Sequence, residues 1–224
     1  MRVYKTQKQV FCISKGASKF LDGLTSNKLD QPHNAFLTIH GRIVVTFDQL
    51  RIGEDEFVIA VESKYTDQLL AHVDRYVKLS GVKFEKLDHS VYFDLDNTVS
   101  VNDGGWVIEQ KQGRLIITEE KLEENISDEE FTLFRLQHNI PQHGIDYTDE
   151  MLLNVSTKEF VSFTKGCFLG QEPISKVYNR SKPTWRLEVR SEGDCSDEET
   201  QKMTSKVKDP RTAKVLGFVF VSNN

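Results

Sequence analysis

Cysteine, proline and tryptophan are scarce in this chain of 224 residues, which holds 3, 5 and 2 of them. The cysteines, Cys12, Cys167 and Cys195, are odd in number and far apart. They offer no disulfide framework, and reducing cytoplasm is the expected compartment. No apolar run approaches the roughly 20 residues of a membrane helix. The start, Met1-Arg2-Val3-Tyr4-Lys5, lacks the apolar centre of a secretion signal, so no membrane partner is expected. Positive charge is not in excess either: 29 Lys and Arg face 34 Asp and Glu, a net charge of -5. That disfavours direct nucleic-acid binding. His-Glu-x-x-His, CxxC, Walker and dinucleotide-glycine spacings are missing. Three scattered cysteines give no stably held metal or iron–sulfur cluster. His138 and His143, on either side of Pro141, read as surface or capping side chains.

What is present is a mixture of strand and helix patterns. Val10–Ile13, Ala35–Ile39, Arg42–Ile52 and Phe57–Val61 read as strands, with turns at His40-Gly41 and Glu54-Asp55. Phe20, Leu21 and Leu24 fall at helical spacing, and Ser63–Leu79 carries an apolar face stopped by Gly81. Short strands follow near Val82–Leu87, Val91–Leu95, Trp106–Gln110 and Arg114–Thr118, with Asn102-Asp103-Gly104-Gly105 as a hairpin-type turn among them. An acidic linker begins at Glu119, and Ser127 with Glu130 fits a capping box that opens a helix bearing Phe131, Phe134 and His138. Strands at Trp185–Val189 and Ala213–Val221 mark 183–224 as a small β unit after a region 1–182.

The unusual segment is Lys165-Gly166-Cys167-Phe168-Leu169-Gly170-Gln171-Glu172. Its glycines permit tight backbone geometry and close approach of a ligand. A cysteine in such a turn can present its sulfur to solvent, and Lys165 is placed to stabilise a thiolate there. Gln171 and Glu172 offer an amide and a carboxylate to a planar heterocycle with paired N–H donors. Cys12, inside an apolar strand, reads instead as a small buried hydrophobe whose replacement by Ser should cost stability. From Lys165 to Arg190, six basic residues stand against two acidic ones, a local excess suited to carboxylate ligands.

The octapeptide resembles the signature of the YgfZ-type folate-binding proteins of iron–sulfur cluster assembly and repair, Lys-Gly-Cys-aromatic-x-Gly-Gln-Glu, at every defined position. Phe20–Asn27, Ala35–Ile43, Arg135 with Ile140-Pro141 and Gly144, and the stretch from Val177 to Arg180 resemble further elements of that family. The likeness implies a ring-like arrangement of α+β subdomains around a cavity that binds tetrahydrofolate or a related reduced folate, related in fold to the aminomethyltransferase of the glycine cleavage system. A small C-terminal β-barrel, truncated here, is expected to close the ring. Cys167 is the implied functional thiol, tuned by Lys165; Gly166, Phe168, Gly170, Gln171, Glu172, Arg180 and Arg135 are the implied folate contacts. Implied partners are iron–sulfur assembly or client proteins, including enzymes that modify tRNA.

The alternative is a folate-dependent aminomethyl transferase, an enzyme. Relatives often carry an Asp soon after the Gly-Arg turn, where Thr46 stands here. Asp48 is the nearest carboxylate, and strand alternation puts it on the same side as Thr46. No adjacent Asp-Asp pair follows Gly41-Arg42, which argues against glycine-cleavage chemistry.

Overall fold

The alternating and helical patterns settle into twelve strands and six α-helices in the computed structural model, which describes residues 1–102 and 104–223. In chain order these are β1 (Val3–Lys5), β2 (Lys8–Ser14), α1 (Ala17–Leu24), β3 (His33–Leu37), β4 (Ile43–Gly53), β5 (Glu56–Glu62), α2 (Thr66–Ser80) and β6 (Lys83–Leu87). Then come β7 (Ser90–Asp94), β8 (Trp106–Glu109), β9 (Arg114–Thr118), α3 (Asp128–His138), α4 (Leu152–Val155) and α5 (Gln171–Arg180). The chain ends with β10 (Trp185–Ser191), α6 (Asp197–Lys202), β11 (Thr204–Lys208) and β12 (Val215–Ser222).

All pairings are antiparallel, in three sheets ordered β3-β4-β5-β2-β6, β1-β7-β9-β8 and β10-β12-β11. The five-stranded sheet is buried on both faces, which is why β4 and β5 read as near-continuous apolar runs. Ile13, Val45, Phe47, Ile59 and Val61 pack under Leu21 of α1 and Leu69 and Val73 of α2. Val10, Val58 and Ala60 meet Phe93, Leu115 and Ile117 of the four-stranded sheet and Phe131 and Phe134 of α3. A further cluster joins Leu37, Ile43, Leu136, Leu152, Phe168 and Ile174 to Leu187, Val207 and Phe218 of the C-terminal sheet.

The predicted caps are in place. Ser127 Oγ accepts from the Glu130 amide while Glu130 reaches back to the Ser127 amide. Gly81, at φ 72°, ends α2 in the left-handed region that favours glycine.

Three expectations need correcting. The described part of the C-terminal unit, residues 183–223, forms an open three-stranded sheet rather than a barrel; three strands are too few to close on themselves. Asn102 and Gly105 do meet across a turn, the Gly105 amide donating to the Asn102 carbonyl at 3.1 Å, but it closes no hairpin, because β7 and β8 are not neighbours. Asp103 itself lies outside the described residues, and the hairpin turn falls at Gln110–Gly113, between β8 and β9. Cys12 is half-buried, not a core hydrophobe. Its Sγ donates to Glu56 Oε1 at 3.2 Å, a bond a serine hydroxyl can also make, so the predicted stability cost of Cys12→Ser loses its physical basis.

Candidate functional site

β2, β3, β4 and β5, the β8–β9 turn and α3 enclose a cavity of about 930 Å³, counting its open mouth. Thr46 and Asp48, on one face of β4, line it, and Phe47 between them also belongs to the core cluster under α1 and α2. Its floor is a buried charge network. Lys8 Nζ lies 2.9 Å from Glu62 Oε1 and 3.2 Å from Asp48 Oδ2. His33 Nδ1 and Gln110 Nε2 meet the other Asp48 oxygen at 3.0 and 3.1 Å. The geometry comes from sheet register: Lys8 sits directly opposite Glu62, and His33 directly opposite Asp48.

Burial alone would push the Asp48 carboxyl up, but Lys8 and His33 outweigh it and hold the group well below the usual carboxylate range. Burial likewise works against the Lys8 ammonium, and Glu62 and Asp48 reverse it, holding the ammonium above its ordinary range. Asp48 is thus ionised and occupied, a poor proton acceptor but a firm anchor.

The opposite wall is aromatic. The His143 ring stacks on Tyr65 with centroids 3.9 Å apart and on Tyr147 at 5.2 Å. Tyr147 is held by a 2.7 Å bond between its hydroxyl and Thr46 Oγ1. Burial, then Lys8 and Lys64, push the His143 imidazole down to about 3. It is therefore a buried neutral ring, not the surface or capping residue expected from spacing.

Beside it, Glu159 and Phe160 line the cavity, positioned by the Thr25-Ser26-Asn27 element. Ser26 Oγ donates to the Phe160 carbonyl at 2.5 Å, and Asn27 Nδ2 donates to the Glu159 carbonyl at 2.8 Å. The Glu159 backbone amide bonds Ser156 Oγ at 3.0 Å, while its carboxylate has no protein partner among the described residues. Lys111, at the mouth, likewise makes no ion pair among the described residues.

Of the residues expected to contact ligand, Arg135 alone lines this cavity. It is 3 % exposed, ion-paired with Asp146 Oδ2 at 2.7 Å and bonded to Ser205 Oγ at 2.9 Å, so it also ties α3 to β11. Gly166, Phe168, Gly170, Gln171, Glu172 and Arg180 all lie outside it. The octapeptide is instead a clasp. Lys165 Nζ donates to the Asp22 and Thr25 carbonyls at 2.9 and 2.6 Å and pairs with Asp22 Oδ1 at 3.4 Å. Those partners use its three donors, so the expected stabilisation of a Cys167 thiolate by Lys165 is not what its contacts provide. The ammonium satisfies orphan carbonyls at the C-terminal end of α1.

The other residues of the octapeptide divide between core and surface. Phe168 is buried in the core, with Lys165 Nζ 5.2 Å from its ring centroid. Gly170, at φ 83°, lies so close to the Thr38 carbonyl that a Cβ would overlap it. Gln171 and Glu172 open α5, whose Ile174 packs against Gly41. Glu172 and Arg180 face solvent. Cys167 stands exposed on the fixed loop. Sequence reasoning missed Lys8, His33, Glu62, His143 and Glu159. A Lys heading an apolar strand was the one visible signal.

Because the buried His143 holds its proton less tightly than in the unfolded chain, the unfolded state binds more protons below the ordinary imidazole value of about 6.5. Its contribution is fully present above that pH and is lost as pH falls towards about 3. Thermal melts should therefore show stability declining through this window. His143→Phe, which keeps the stack, should flatten that decline; an unchanged slope would contradict the assignment.

No family model matches the chain. Two curated relatives carry the description "Iron-sulfur cluster assembly factor IBA57 homolog, mitochondrial". The Neurospora crassa protein is 24% identical over 206 residues, 73% of this chain and 47% of its own length. The Dictyostelium discoideum protein is 25% identical over 238 aligned positions, 78% of this chain and 58% of its own length. The chain thus spans about half the length of the curated relatives it matches. Among solved structures, aminomethyltransferase T of the glycine cleavage system from Bartonella henselae aligns over 98% of this chain and 78% of its own, with a TM-score of 0.71 and 12% sequence identity. The fold is that of the aminomethyltransferase.

Proposed function

We propose that the protein is an accessory factor of iron–sulfur cluster assembly or repair that binds tetrahydrofolate, or a related reduced folate, in the cavity floored by Asp48. The observation that carries the ligand half is the cavity itself: an unpaired carboxylate and apolar, aromatic walls in one concave site. Glu159 offers two acceptor oxygens to the paired N–H donors of a pteridine. Phe160, Phe131 and Tyr147 supply ring and edge contacts, and Lys111 at the mouth can pair with the glutamate carboxylates of the tail. These residues would bind and orient the ligand. A folate carries one-carbon groups when bound.

The assembly half rests on the two relatives' descriptions and on Cys167, whose exposed thiol the clasp keeps in place. A thiol of this kind can meet the sulfur or metal of a partner protein. The ring-like arrangement of subdomains belongs to the same reading. Aminomethyl transfer is the reading the fold alone would favour. On β4 it would need a carboxylate free to position the reacting amine, whereas Thr46 is neutral and Asp48 is held by Lys8, His33 and Gln110; the unpaired Glu159 lies on another wall and is assigned here to the pteridine.

Calorimetry with tetrahydrofolate tests the ligand half. Glu159→Gln should weaken binding about tenfold or more, as expected for a lost charge-assisted hydrogen bond, and Glu172→Ala, outside the cavity, should leave it unchanged. The reverse pattern would return the ligand to the octapeptide. Cys167→Ser should leave melting temperature and folate affinity intact, yet fail to restore iron–sulfur enzyme activity in a strain lacking its own member of the family. Full complementation would show the thiol to be dispensable.

A further inference from the structure

The two ring nitrogens of His33 have different surroundings. Nδ1 is 3.0 Å from Asp48 Oδ1. That carboxylate is ionised, facing Lys8 and Gln110 as well, so it can only accept; in the imidazole tautomer that meets it, the single ring proton sits on Nδ1. Nε2 then keeps its lone pair. Among the described residues it has no hydrogen-bond partner, and it is not one of the sealed, unpaired atoms. His33 lines the cavity, and this nitrogen is not sealed from solvent.

The ring cannot readily turn away. Its strand position opposes Asp48 directly, its backbone carbonyl is held by Asn27 Nδ2 at 2.9 Å, and its centroid lies 5.7 Å from that of Phe160. The same Asn27 amide holds the Glu159 carbonyl at 2.8 Å. Two segments bearing acceptors are thus stitched together on one wall. The donors nearest Asp48, Gln110 Nε2 and Lys8 Nζ, are turned onto carboxylates. This part of the cavity asks its ligand for hydrogen-bond donors.

We propose that His33 Nε2 is the specificity-determining acceptor of this site, selecting a tetrahydropteridine, whose N5 and N8 carry hydrogens, over the fully oxidised ring, whose N5 and N8 carry none. The inference rests on the folate reading above. A site that presents a fixed acceptor is left with an unmet pairing when the ligand offers another acceptor, and that loss is what discriminates. The rival account makes the His33–Asp48 contact a purely structural cross-strand pair.

The test compares the affinities of tetrahydrofolate and folic acid, measured anaerobically, for the wild-type chain and for His33→Phe. Nitrogen-15 NMR of the wild-type histidines at neutral pH adds a readout that needs no ligand and survives if His33→Phe fails to fold. Tetrahydrofolate should bind the wild type about tenfold tighter than folic acid, the scale of one hydrogen bond left unmade. His33→Phe should bring the ratio near one, and the spectrum should show His33 protonated on Nδ1 with Nε2 bare. Equal affinities in the wild type, an unchanged ratio in His33→Phe, or a proton on Nε2 would overturn the proposal while leaving folate binding standing. Failure of the wild type to bind either compound would remove the folate reading and this inference with it.

Discussion

The ammonium of the half-buried Lys8, set between two buried carboxylates, is the constraint on which the rest of the site depends. A lysine in that position needs carboxylate partners, and removing one partner of such a pair typically costs about 3–5 kcal/mol. Asp48 from β4 and Glu62 from β5 supply them, so three strands must hold their register to within one residue, since a slip would send every second side chain to the other face. Once Asp48 is committed to Lys8, it can also fix the His33 ring, and Thr46, two residues earlier on the same face, can hold the Tyr147 hydroxyl. Floor and aromatic wall follow from one cross-strand arrangement.

Two motifs distant in sequence divide the remaining work. Lys165 caps the carbonyls left open at the end of α1, and the residues just after that end, Ser26 and Asn27, grip the backbone at Phe160 and Glu159. The octapeptide therefore acts on the cavity through its neighbours while showing Cys167 to the outside. On the proposed reading, ligand recognition and thiol chemistry occupy different places. A folate bound in the cavity would leave the cysteine open to a partner.

Much of the fold was legible because local signals agreed with it. Gly81 stopped its helix, Ser127 and Glu130 formed their capping box, and the period of two along β4 put Thr46 and Asp48 on one side. What failed was non-local. The glycines at 104 and 105 announce a turn, yet whether it closes a hairpin depends on β7 choosing β1 and β9 as partners. Cys12 lies in an apolar run, whose composition does not say which member points outward to Glu56. His143 has no ligand spacing around it, and its burial comes from Tyr65, far away in the chain. The octapeptide was readable as a motif, but its contacts with Asp22, Thr25 and Thr38 turn it into a clasp instead of a wall.

The separation of cavity from cysteine is tested most directly by the crystal structure of the chain with tetrahydrofolate bound. The pteridine is predicted to lie in the cavity against Glu159 and His33, with Asp48 still held by Lys8 and with Cys167 uncovered. A pteridine seated on the loop from Lys165 to Glu172, with the cavity unfilled, would contradict it.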